Sequence, residues 1–569
     1  ICDVLPDSQA ALVHASLARA FEVREANNPG RIVRHWLGAK ETSKAATWSL
    51  CAADAALATL NFTRAADFLE TAMTHGSHSE SERRQLQVRL ADALVEAGSP
   101  RKAANAYEIA LGNAPAESES VELRRRITEN LMFAGDIDSS LRAAKSLSTE
   151  FRLTYPSTRA TTLMHMVLGE VRLARAKLEQ HADSDADAFA AQRVDVAESL
   201  AMGLSGADAL RSMVFTQQWA LHSLKVGDPA RCARALASLS ILASMQNAPS
   251  RSYKYLDAAQ VWSQRDGDPV NTSYVISARA LASFYLENNW QDARNHFGDA
   301  LDQWKTGGRG YSHAIGVIYI FRSYAASYQG DLRELVDGVP KLIEEASRSG
   351  NRVLESSLRA GFAHRHLITD DAERGEDDLL RFLEGWPDRH FLWQHWLAIL
   401  RGAEIQLYLG RPERALELIE ENRGRLRNSM LTQLHFVKCE FVHIQARCHL
   451  ALAAAKRDQR SSSLKRTEGF AKTLSKSNLD LAKAWSHLLY AAVACSRNRS
   501  AQARTSLQRA HALFEKSGSL LYANATLRRI GELTVGSSGE RAQAKADIWL
   551  ARQGIRKPSR MLDMIAPGF

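Results

Sequence analysis

The sequence predicts an all-α fold of stacked helical hairpins, a solenoid wound into a right-handed superhelix, and three observations carry that expectation. Small residues recur at fixed distances from short polar breaks, as in Leu94 to Leu111, "LVEAGSPRKAANAYEIAL". Proline is scarce, 13 in 569 residues, while alanine, leucine and arginine, all good helix formers, abound. No stretch alternates apolar and polar residues between hairpin turns in the manner of a strand.

The first observation defines the repeat. Counted from Gly98, Leu90 and Ala91 lie at −8 and −7, Leu94 at −4, Ala103 at +5, Tyr107 at +9, Ala110 at +12 and Pro115 at +17. This is the tetratricopeptide pattern. Ala91 and Ala103 let two antiparallel helices approach closely, Gly98 permits the reversal, and Leu90, Leu94 and Tyr107 fill the groove between them. Pro115 is expected to stop the second helix. One hairpin cannot bury its own apolar face, so neighbours are required.

The same template finds them. Around Asn288 stand Phe284, Ala293, Phe297 and Ala300; around Gly410, Ala403, Ala415 and Ile419; around Asn498, Ala491, Ala503, Leu507 and Ala510. Looser copies turn near Lys40, Leu60, Gly135, Gly227 and Gly330. Spacings of 37 (Gly98 to Gly135) and 42 (Asn288 to Gly330) exceed the roughly 34 of the standard repeat and predict about 14 units.

Composition narrows the function classes. The formal charge of +9 is modest for so long a chain and does not indicate nucleic-acid binding. Six dispersed cysteines without a Cys-x-x-Cys pair fit a reducing, cytoplasmic compartment. The longest apolar run, "AIGVIYIF" at Ala314 to Phe321, is far too short for a membrane span. The first residues, beginning at Ile1, carry no basic region followed by an apolar one, and this start is expected to be a cut in a longer protein.

Polar connectors are expected at Ser184 to Ala188, Asn247 to Ser252, Gly307 to Gly310 and Lys456 to Ser463. The expected organisation is a helical linker over 1–30, N-terminal repeats over 31–182, central degenerate repeats over 183–455, C-terminal repeats over 456–540 and a tail over 541–569.

The segment Ile32 to Met73, "IVRHWLGAKETSKAATWSLCAADAALATLNFTRAADFLETAM", resembles the first repeats after the nucleotide-binding domain of large bacterial serine/threonine protein kinases that carry a STAND-type ATPase. "ALVHASLARAFE" at Ala11 to Glu22 resembles the helical joint preceding those repeats, and "IWLARQGIRKPSRMLDMIAPGF" at Ile548 to Phe569 their terminal segment. Regulators of the MalT kind share the plan but end in a DNA-binding domain. The resemblance implies that kinase and ATPase domains lie upstream and are this chain's partners.

The chain itself carries none of their motifs. No phosphate loop ending in Gly-Lys-Ser/Thr, no His-Arg-Asp or Asp-Phe-Gly element and no Gly-x-Ser-x-Gly elbow occurs; "GGRG" at Gly307 lacks the lysine. His435, Cys439 and His443 recur every four residues, but three ligands on successive turns span about 12 Å, too far for one ion. His364 and His366 point to different faces, and the adjacent pairs Asp377 and Asp378 or Glu420 and Glu421 read as solubilising.

Trp386, Phe391, Trp393 and Trp396 form an aromatic cluster, read first as inter-repeat core, with Trp393 and Trp396 as possible partner anchors. Lys456 to Lys483 holds eight basic and three acidic residues and reads as a solvated face rather than a nucleic-acid groove, for which Phe470 and Trp485 alone are thin support. No catalytic residue, cofactor or metal is expected. The expected function is an interaction and sensing scaffold, with a protein or peptide in the concave groove beside Arg89, Asp92 and Glu96; the alternative is the effector-binding domain of a MalT/LuxR-type regulator.

Overall fold

The computed structural model describes residues 6–112, 117–179, 188–205, 208–308, 313–349, 351–385, 391–429 and 431–569. Every regular element among them is helical. The chain divides into two compact units. One comprises Ile1–Tyr155, Trp304–Gly316 and Ala346–Arg352, the other Pro156–Gln303, Val317–Glu345 and Val353–Phe569.

In the first unit the hairpins are Thr42–Ala58 with Phe62–His75, Glu80–Glu96 with Pro100–Leu111, and Glu117–Phe133 with Ile137–Glu150. One turn joins each pair. Leu60, Gly98 and Gly135 take φ of 55°, 73° and 80°, and the next amide donates to the carbonyl five residues back: Asn61 to Ala56, Ser99 to Leu94 and Asp136 to Leu131. This left-handed cap satisfies the last carbonyls of one helix while reversing the chain. Gly98→Val is expected to cost about 1 to 3 kcal/mol, because a β-branched residue is strained at that φ, and Gly98→Asn much less; an unchanged melting temperature for the valine variant would refute this.

Ala53, Ala65, Ala91, Ala103 and Ala110 lie buried where helices meet, with Leu69, Leu90, Leu94 and Tyr107 filling the space between. Pro115 lies outside the described residues. The first helix, Asp7–Arg24, is fastened by Glu22, whose Oε1 accepts from the indoles of both Trp36 and Trp48 at 2.7 Å.

The second unit repeats the device. Gly227, Asn247, Gly267 and Asn288 all have positive φ, so the helices Ala209–Val226, Pro229–Met245, Pro249–Asp266 and Pro269–Ala282 follow one another through tight turns. The expected connector at Asn247 to Ser252 is therefore a short turn followed at once by helix. The connector at Lys456 to Ser463 is similarly short, with helix resuming at Arg460. Ser184 to Asp187 and Arg309 to Gly310 lie outside the described residues.

Ion pairs join equivalent positions of successive repeats. Arg231 bonds Asp195 (2.8 Å), Arg234 bonds Glu198 (2.7 Å) and Lys516 bonds Asp480 (2.7 Å), each pair 36 residues apart. In the first unit Arg89 pairs with Asp54 and Arg126 with Asp92, 35 and 34 apart. Exposed pairs contribute about 0 to 1 kcal/mol each, so they set register more than stability.

The second unit's chain also returns upon itself. The Trp290 indole donates to Ser519 Oγ (2.9 Å), the Leu481 amide to Asn288 Oδ1 (3.3 Å) and the Arg556 amide to the Ile368 carbonyl (2.9 Å). At Gly330, φ 86°, an added Cβ would lie 2.9 Å from the Leu521 amide. Glycine there serves the close approach as well as the turn.

Candidate functional site

Two helices of the second unit carry charged residues inside otherwise apolar runs. Trp393–Tyr408, "WQHWLAILRGAEIQLY", buries Arg401 and Glu404 one turn apart. His435–Ala455 carries Glu440, His443 and Arg447 at spacings of three and four, hence on one face, all buried. With Tyr328, His364, Trp485, Tyr522 and Met561, Met564 and Ile565 of the helix Pro558–Ile565, they line a cavity of about 60 Å³.

Glu404 sits between two guanidinium groups, 2.7 Å from Arg401 Nη1 and 3.0 Å from Arg447 Nη1. Burial alone would raise its pKa, but Arg401 and then Arg447 hold it down at about 2. Arg401 Nε donates to the Gly361 carbonyl and Arg447 Nε to the Met564 carbonyl, both at 2.9 Å. Glu440 accepts from the Tyr328 hydroxyl, yet burial pushes its carboxyl up to about 7.

His443 and His364 are held neutral, since burial lowers both well below 6.5, assisted by Arg447 at His443 and Arg401 at His364. The His443 ring stacks on Trp485 with centroids 4.3 Å apart. Arg447 Nη2, His443 Nε2, Trp485 Nε1 and His364 Nδ1 are buried and have no hydrogen-bond partner among the described residues. Unsatisfied buried donors are costly. The arrangement is therefore suited to hold an acceptor-rich group.

Glu440 makes the unit pH-sensitive. Its folded pKa lies above the ordinary 4.5, so its contribution to stability is fully present below pH 4.5 and lost as pH rises through about 7. Glu440→Gln removes that loss, and the variant should gain on the order of 3 kcal/mol relative to wild type between pH 5 and pH 8. Urea midpoints at the two pH values check this; a constant difference between the proteins would contradict it.

The terminal helix Pro558–Ile565 buries Met561, Leu562, Met564 and Ile565. Beyond Arg447, it is clamped by Arg529, which bonds Asp563 (2.8 Å) and the Ala566 carbonyl (3.1 Å). Met561, Met564 and Ile565 of this helix line the same cavity.

The repeat-packing residues Phe284, Ala293, Phe297, Ala300, Ala415, Leu507, Ala503 and Ala510 are all buried, and Gly410 turns at φ 71°. Of the groove candidates, Arg89 and Asp92 are partly exposed and engaged in the inter-repeat pairs, and Glu96 is half-buried. Trp396 is fully buried, edge-on to Phe441 at 5.8 Å, so it belongs to the core; Trp393 is half-buried and Trp386 lies outside the described residues.

Asp378 corrects the solubilising role read from its sequence. It is buried and bonds Arg365 (2.6 Å), Arg359 (2.9 Å) and His366 (3.0 Å), which gives His366 a structural role as well. Asp377, one residue away, is exposed as expected.

His435 bonds Ser477 (2.9 Å), and burial pushes the neighbouring Cys439 thiol up to about 11. No group of three potential metal ligands occurs among the described residues. The basic residues from Lys456 to Lys476 are exposed, whereas Trp485 lies in the cavity wall, away from that face. No helix among the described residues is long and apolar enough to cross a membrane.

No family model and no curated protein matches the chain. Among solved structures it is similar to the yeast Tom70, at 12% identity over 97% of this chain and 100% of that chain, with a TM-score of 0.28. It is also similar to Naa15/Naa10 bound to HypK-THB, at 12% identity over 94% and 84% with a TM-score of 0.18. A third is a circular tandem repeat protein of novel repeat topology, at 12% identity over 98% and 96% with a TM-score of 0.14. The hairpins, turns and inter-repeat pairs of the chain itself, not these likenesses, make it an all-α, tetratricopeptide-like helical-repeat solenoid.

Proposed function

We propose that the chain is a non-catalytic interaction and sensing scaffold, the C-terminal regulatory region of a multidomain bacterial serine/threonine protein kinase with an ATPase module. The succession of helical hairpins carries this reading, because stacked repeats present long surfaces to protein or peptide partners. The resemblances at Ile32 to Met73 and Ile548 to Phe569 supply the kinase context. In the first unit the partner lies along the first helices of the hairpins, where Arg89, Asp92 and Glu96 occupy successive turns. Binding there biases the upstream domains by favouring one of their states.

Autophosphorylation of the parent kinase, measured with and without this region and with the isolated region added in trans, tests the reading. A changed output that Arg89→Glu and Glu96→Lys reverse supports it; unchanged output, with no partner retained on the immobilised region, overturns it.

The cavity supports a second reading, the effector-binding domain of a MalT/LuxR-type ATP-dependent regulator. Calorimetry against sugars and nucleotides tests that reading, as does a DNA-binding helix-turn-helix in the same coding sequence.

A further inference from the structure

Four buried nitrogen groups without partners belong to residues that line one cavity. Arg447 Nη2 and Trp485 Nε1 are unconditional donors, and His443 Nε2 donates in one tautomer of its neutral ring. None has a hydrogen-bond partner among the described residues, and no buried side-chain oxygen without a partner belongs to the described residues of the wall. The complement is an acceptor-only group. Leu332, Ile368, Leu400, Leu521 and Ile565 give the wall an aliphatic part beside Ser327, Tyr328, Tyr522, Arg401, Glu404 and Glu440, and about 60 Å³ admits only a few heavy atoms.

We propose that this cavity is a binding site for a compact aliphatic carboxylate, its oxygens on Arg447 Nη2, His443 Nε2 and Trp485 Nε1 and its short carbon chain against Leu332, Leu400 and Ile565. The site goes beyond the scaffold reading and stands whether or not the chain regulates a kinase.

Charge supports the choice. Arg401 and Arg447 face Glu404 and Glu440, and Glu404 is committed to both arginines. Around Glu440 lie Tyr328, Tyr324, Tyr285, Tyr522, Trp396, Arg401 and Glu404. While Glu440 holds its proton, the two guanidinium groups exceed the carboxylates by one charge, which a bound monoanion neutralises. Ionised Glu440 competes with that anion. Binding therefore takes up a proton near neutrality and favours the protonated protein. The Met564 carbonyl on Arg447 Nε places the terminal helix in contact with the same guanidinium, so occupancy is felt there directly.

Calorimetry on the full chain with propionate, its neutral isostere propionamide and inorganic phosphate tests the site at pH 6 and pH 8. The expected result is saturable propionate binding, about tenfold weaker at pH 8 because the competent protonated fraction falls by that factor, with no binding of propionamide or phosphate. His443→Phe keeps the stacking on Trp485 and removes one donor. It should weaken propionate about tenfold, the typical worth of a hydrogen bond to a charged group, at an unchanged melting temperature. No saturable heat at either pH, equal binding of the amide, tighter binding of phosphate, or an unaffected His443→Phe variant would each overturn the proposal. Because kinase output is not read, failure here leaves the scaffold reading standing.

Discussion

Replacing Glu404 by leucine is expected to destabilise the second unit by about 3 to 5 kcal/mol, the cost of leaving buried charge uncompensated. The carboxylate separates Arg401 and Arg447, at 2.7 and 3.0 Å; without it two guanidinium groups face each other out of reach of water. Guanidinium denaturation read by far-ultraviolet circular dichroism should show a second-unit transition at markedly lower denaturant. Converting Arg401, Glu404 and Arg447 together to apolar residues should recover much of the loss, because the desolvation cost of all three charges then vanishes. The pH behaviour has the opposite sign to that of Glu440. Glu404 is held below its ordinary 4.5, so its stabilisation is present above pH 4.5 and is lost as pH falls through about 2. A Glu404→Leu midpoint equal to wild type at pH 7 would show that the pair contributes nothing.

Trp290→Ala should cost about 3 to 5 kcal/mol in the same assay, the range for removing a large aromatic from a core. Trp290 is fully buried, stacks on Tyr328 with centroids 4.8 Å apart, meets Phe284 edge-on at 5.1 Å and donates to Ser519. It ties the helices around residue 290 to those beyond residue 500. Trp290→Phe, which keeps the ring packing and loses the hydrogen bond, should cost nearer 1 kcal/mol. A small effect of the alanine variant would mean that the aromatic cluster repacks around the gap.

The hairpins were legible because their turns obey a strict local rule. A residue at positive φ must follow the first helix, and small residues must sit at fixed distances on either side; Lys40, Leu60, Gly98, Gly135, Gly227, Asn288, Gly330, Gly410 and Asn498, all picked out by that spacing, have positive φ. Arg152 turns the chain in the same way but has Lys145 at −7, where the pattern wants a small residue; Asp370, with Ala363 at −7 and Gly375 at +5, fits the spacing although it is not among the turns read from the sequence. The cavity was not legible. Arg401 with Glu404, or Glu440 with Arg447, reads like any exposed ion pair on a helix, and what buries them lies far away: Tyr328 is 112 residues from Glu440 and Met564 is 117 from Arg447. The one usable signal was negative. In "CEFVHIQARCHLALAAA" the charges stand in an apolar run with no polar face to join, and a helix apolar all round is a buried one.

The clamped terminal helix bears on the order in which the chain is built. In an ordinary solenoid each repeat settles on its predecessor as it emerges, with only local contacts to make. Here Arg447 needs the Met564 carbonyl and Arg529 the Ala566 carbonyl, while Trp290 waits for Ser519 and Asn288 for the Leu481 amide, 229 and 193 residues downstream. At roughly 5 to 20 residues per second, Trp290 and Asn288 wait about ten seconds or more for those partners during synthesis. For that interval the helices around residue 290 present an aromatic surface to everything around the ribosome, which makes this half of the chain the natural client of a chaperone.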